Sequence, residues 1–148
     1  MIPRAPLFLG LAALVPFLWG AITVLNADLA IWTARNIGAR FVGPYVMLFF
    51  GTTVLSFMSG MLWGFAARLD GAQAATGYVL ATFPALWAFA MTGGNLESAG
   101  IYLMFGFAGL LGLNWLFWQH GAAPDWWMRF CGLPTAFILA CLGIGVFL

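Results

Sequence analysis

Charge is what this chain lacks most. Lysine is absent, all five basic residues are arginine, and four acidic residues bring the charged fraction to only 6% of 148 residues. A soluble domain carries about 25% charged residues, so there is too little polar surface here to cover a particle in water. Histidine occurs once and cysteine twice, which leaves no ligand set with metal-site spacing. There is no Gly-rich phosphate loop following a strand, no nucleophile elbow and no Cys-x-x-Cys pair. The formal net charge of +1 is no footprint for nucleic acid. The chain is therefore expected to be no enzyme, and to need no cofactor, metal or nucleic-acid partner.

What the chain has is apolar length. Hydrophobic residues make up 64% of it, and the mean hydropathy is +1.02. In a bilayer each backbone polar group must be satisfied within the protein, so a span is a helix or part of a closed barrel. The apolar runs approach twenty residues and do not alternate, which selects helices. The fold class is all-α: an integral membrane bundle of five transmembrane helices, with spans at about 6–25, 44–67, 77–92, 98–119 and 130–148. One transmembrane domain covers residues 1–148, with the second span central.

Arg4 precedes the apolar run from Ala5 to Leu25. That run is long for a signal-peptide core and no small-x-small site follows, so it reads as a retained span. With no Arg- and Ser-rich transit segment before it, the expected location is the bacterial inner membrane. Arg4, Arg68 and Arg129 fall on one side and Arg35 and Arg40 on the other. The arginine bias places the N-terminus in the cytoplasm and the C-terminus in the periplasm. Trp63, Tyr78, Trp118, Trp126 and Trp127 are expected at the first boundary, and Trp32, Tyr45 and Tyr102 at the second. The connection from Asn26 to Gly43 reads either as an interfacial helix, for which its apolar residues share no clear face, or equally as a helical extension of the first span that turns at Gly43-Pro44. Pro16 and Pro84 are expected to kink their spans, whereas Pro134 falls in a first turn and costs little. Cys131 and Cys141 are ten residues apart on one helix, about 15 Å of rise. A disulfide is out of reach, and both read as small buried hydrophobes.

The stretch LSFMSGMLWG, Leu55 to Gly64, carries two serines and two glycines inside a span. Lipid offers no hydrophobic drive between helices, so small residues and interhelical hydrogen bonds hold them together. Ser56, Ser59, Gly60 and Gly64 are thus expected to form the packing seam, with Phe57, Met58, Met61 and Leu62 toward lipid. On this reading Gly60→Leu unpacks the bundle and Leu62→Ala is mild. Gly77, Ala81, Ala85, Ala88 and Thr92 form a second small ridge. Ala108, Gly109 and Gly112 are the expected packing face of the fourth span. Asn114, on the other side of that span, is the one carboxamide well inside the membrane and must find a partner. No acidic residue or histidine lies near the centre of a span, which argues against proton-coupled transport. Arg68, His120, Asp125 and Arg129 gather before the fifth span as candidate contacts for lipid head groups or a partner.

Three blocks carry a resemblance: PLFLGLAALVPFLWG at Pro6–Gly20, LSFMSGMLWG at Leu55–Gly64 and APDWWMRFCGLPTAFILA at Ala123–Ala140. The chain resembles the uncharacterised bacterial membrane proteins related to mitochondrial transmembrane protein sixty-nine. The matching positions are Pro16; Ser56, Phe57, Ser59, Gly60, Trp63 and Gly64; and Pro124, Trp126 and Arg129. Family members often place a histidine just before the tryptophan of the central block, where this chain has Leu62. The resemblance implies architecture, and by association an energy-converting membrane.

The expected function is that of an accessory or assembly subunit beside a larger respiratory or photosynthetic membrane complex, with membrane lipids and other integral membrane subunits as partners. One alternative is a small transporter or channel with a path along Thr52, Thr53, Ser56, Ser59 and Asn114. Another is a lipid- or quinone-binding protein using His120, Asp125 and Arg129.

Overall fold

The computed structural model describes residues 2–147, so the ends of the predicted domain at 1 and 148 lie outside the described residues. The elements are α1 (Arg4–Ala13), α2 (Val15–Leu25), α3 (Ala27–Asn36), a 3-10 turn (Ala39–Phe41), α4 (Gly43–Ala66), α5 (Gly71–Met91), α6 (Leu96–Gln119) and α7 (Trp127–Phe147). Five helices are long and apolar enough to cross a membrane, α1 and α2 together counting as one of 22 residues. Spans of 21 to 24 residues are about 32–36 Å long, sufficient for a hydrocarbon core of about 30 Å. The all-α membrane bundle stands as expected, and no strand occurs among the described residues.

The first span breaks at Leu14, two residues before Pro16, as a proline without an N–H and with a fixed φ requires. Helix α5 instead runs unbroken through Pro84. It begins at Gly71, six residues before the expected start. Pro134 is not in a first turn either: α7 starts at Trp127, so the proline lies inside the helix. The segment after the first span is a separate helix and not an extension. Asn26 takes an extended conformation, and its side chain accepts the Leu29 N–H at 3.2 Å, starting α3 afresh.

Helix α4 is the hub and touches α2, α5, α6 and α7. Its buried side is Met47, Gly51, Leu55, Ser59, Leu62 and Ala66. This departs from the expected faces at Ser56, Gly60, Gly64 and Leu62, while Phe57 lies outward and Ser59 inward as expected. Gly60 and Gly64 are exposed, and a Cβ on either would meet nothing within 4 Å. Ser56 and Phe57 are also exposed, while Leu62 has no accessible surface. Of the predicted α4 seam only Ser59 faces the bundle. Ala108, Gly109 and Gly112 likewise face outward, and the buried side of α6 carries Gly100, Leu103, Gly106, Phe107, Leu110 and Asn114. The α5 ridge does pack inward through Gly77, Ala81, Pro84 and Ala88.

Close approach at glycine is real, but at other glycines. A Cβ on Gly106 would stand 2.8 Å from both Leu55 and Trp87; on Gly51, 2.5 Å from Leu103; on Gly100, 2.5 Å from Val146; on Gly145, 2.5 Å from Met47. Each glycine is a hole that receives a large side chain from the facing helix. Leu55 points inward because Gly106, its partner on the facing helix, has no side chain there. In lipid both faces of a helix are apolar, so hydrophobicity does not select between them.

Candidate functional site

Three polar arrangements join helices of the bundle, two of them at backbone groups and one between side chains. The first lies between α2 and α4. Thr23 is buried; its hydroxyl accepts the Gly43 N–H at 2.6 Å and donates back into its own helix at Gly20, 2.9 Å away. Gly43 opens α4 at a φ of +46°, and its N–H is one of those a helix start leaves free.

The second joins α4 to α5. The Ser59 hydroxyl donates to the Ala81 carbonyl and accepts the Ala85 N–H at 3.3 Å. These two backbone groups flank Pro84. A serine from a neighbouring helix thus bonds the backbone beside a proline, which is how membrane helices accommodate one.

The third joins α6 to α7. Asn114 is 1% exposed, and its carboxamide oxygen accepts the Trp127 indole N–H at 3.0 Å. An indole can only donate, so this bond sets which end of the amide is oxygen. Trp127 was expected at the boundary, yet it is 2% exposed and packs edge-on against Phe65, ring centroids 4.9 Å apart. Trp127 begins α7, and turning it inward brings the loop before it over the ends of α4 and α6.

That loop gathers the predicted charged residues without joining them to one another. Arg68 reaches the Ala122 carbonyl at 3.5 Å, the His120 ring nitrogen Nδ1 lies 3.0 Å from the Leu116 carbonyl, and the Trp118 indole donates to the Asp125 carbonyl at 3.3 Å. Each bond ends on backbone, so the loop is tied down by its main chain. His120 borders an open groove of about 280 Å³ with Gln73 and Thr76. Arg129 borders a different groove against α1, of about 390 Å³.

The hydroxyl stripe of α4 divides. Thr52 and Thr53 both donate to the Phe49 carbonyl, at 2.8 and 3.0 Å. Thr53 borders a groove of about 510 Å³ that also holds Arg40, whose guanidinium lies 4.7 Å from the Phe49 ring centre. Asn114 borders a separate cavity. Cys131 and Cys141 are free and buried. Among the described residues no three His, Cys, Asp or Glu side chains come close enough to share a metal ion.

Sequence reasoning found Asn114 but not Trp127, since the two are thirteen residues apart and a tryptophan before a span reads as an interfacial anchor. It missed Thr23, which resembles any span-end threonine until Gly43 is placed against it.

Fold and site together define a polytopic α-helical membrane protein, held by interhelical hydrogen bonds and glycine-received side chains. The chain belongs to the family described as a protein of unknown function (DUF3429), which matches residues 2–147. No curated protein and no solved structure matches it.

Proposed function

We propose that this chain is an accessory or assembly subunit of a larger energy-converting membrane complex, seated in the bacterial inner membrane with its N-terminus in the cytoplasm. One observation carries the reading. The small-residue ridge Ser56, Gly60, Gly64 is left open on the outside of the bundle, with nothing within 4 Å of the space a Cβ would fill on either glycine. Ridges of this spacing are what transmembrane helices use to approach one another, and here no helix of the chain uses it. Ala108, Gly109 and Gly112 form a second such face on α6. Gly60 stands about 140° around α4 from Leu55, and Leu55 is the residue that meets Gly106 of α6. Both ridges lie on outward surfaces of the bundle, as suits a subunit packed between larger neighbours. The choice of an energy-converting membrane rests on the resemblance of the three sequence blocks to bacterial proteins related to mitochondrial transmembrane protein sixty-nine.

The test is purification of the tagged chain from native membranes in mild detergent. The expected result is co-purification of other membrane subunits, lost in Gly60→Leu although that variant is as heat-stable as the parent. Recovery of the chain alone, or identical partners with Gly60→Leu, overturns the proposal.

A further inference from the structure

A partly open cavity of about 90 Å³ lies between the broken first span, α4, α6 and α7. Its wall is apolar except at one side, where Asn114, Cys131 and Thr135 meet. Asn114 is 1% and Thr135 7% exposed. The Asn114 oxygen is taken by Trp127, which turns the amide nitrogen, with two N–H donors, away from that bond. Every fully enclosed polar side-chain atom among the described residues has a partner. Among the described residues neither the amide nitrogen nor the Thr135 hydroxyl has a hydrogen-bond partner, so neither is fully enclosed, and both residues line the cavity. The helix leaves one more polar group beside the cavity. Pro134 and Phe130 both line the cavity, and a proline inside a helix removes the N–H that the carbonyl four residues earlier would take, here that of Phe130.

We infer that this cavity is a water-binding site, holding ordered water hydrogen-bonded to Asn114 Nδ2, the Thr135 hydroxyl and the Phe130 carbonyl. Size and chemistry select water. A buried water needs two to four polar partners and about 10–15 Å³ of free centre volume; three partners and about 90 Å³ are present. Ligand pockets for drug-sized molecules begin at about 300 Å³, so a quinone ring or a lipid head group does not fit. An apolar cavity would stay dry, but an unbonded amide in hydrocarbon costs several kcal/mol. The cavity also borders Leu14, where the first span breaks, and ordered water is one of the means by which membrane helices satisfy such breaks.

The two cysteines provide a test with its own control. Cys131 lines the cavity and Cys141, on the same helix, does not. In lipid bilayers hydrated with D2O, infrared spectroscopy follows the replacement of thiol hydrogen by deuterium. Cys141→Ala leaves Cys131 as the reporter, and Cys131→Ala leaves Cys141. The expected result is that the Cys131 thiol exchanges at least about tenfold faster than Cys141, because its water is already present and needs no opening of the helix bundle. Thr135→Val keeps the side-chain shape and the Asn114–Trp127 bond while removing one water partner, and is expected to slow Cys131 exchange about tenfold. Equal exchange of the two thiols, or unchanged Cys131 exchange in Thr135→Val, overturns the inference.

Discussion

Trp127 donates its indole N–H to the carboxamide oxygen of Asn114, 3.0 Å away and out of reach of solvent. The bond joins the start of α7 to the last third of α6 and is the only side chain-to-side chain hydrogen bond found among the described residues. Asn114→Ala leaves a buried indole N–H without an acceptor, and is expected to cost about 1–3 kcal/mol. Trp127→Phe leaves the amide oxygen unpaired instead. In a double-mutant cycle on thermal unfolding in detergent the pair should couple by about 0.6–1.7 kcal/mol, the span measured for interhelical bonds in membrane proteins. Additive losses would mean that the bond contributes nothing.

The orientation of α4 is tested by two residues that sequence alone ranks the other way. Leu62→Ala removes a side chain with no accessible surface and is expected to cost about 2–5 kcal/mol. Gly60→Leu adds a side chain into open space, and its effect on the isolated chain should stay within about 0.5 kcal/mol. Melting temperatures of the two purified variants decide it.

Gly106 and Leu55 form a close meeting of α6 with the hub. A Cβ at Gly106 would come within 2.8 Å of Leu55 and of Trp87, so Gly106→Ala should cost about 1–3 kcal/mol through overpacking. Shortening the intruding side chain relieves part of the clash. Gly106→Ala combined with Leu55→Ala should therefore be less destabilised than the two single losses summed, again by thermal unfolding.

Ser59 acts on the α5 backbone at Pro84 and not on a ligand. Ser59→Ala removes a donor from the Ala81 carbonyl and an acceptor from the Ala85 N–H, with an expected cost of about 1–3 kcal/mol. In a Pro84→Ala background α5 regains the N–H at position 84 and its regular ladder, so the same change should cost less. Equal costs in both backgrounds would disconnect the serine from the proline.

The sequence by itself determined the class of this protein. Few charges and apolar runs of span length leave only membrane helices, because backbone groups find no water in hydrocarbon. It also determined the demand of Asn114 for a partner, since desolvation of an amide does not depend on the fold, but not that the helix is interrupted before Pro16 and runs on through Pro84 and Pro134. Only the tertiary structure decided which side of each helix faces in. In water the hydrophobic effect marks the inner face, but in lipid Leu62 and Phe57 are equally comfortable on either side. The choice passes to shape, and shape is a property of pairs: Leu55 is buried because Gly106 stands opposite, and Gly60 is bare because nothing in the chain does. For the same reason the partner of Asn114 came from α7. A residue's need for a hydrogen bond is written in its own chemistry, but the group that meets it depends on how the helices cross.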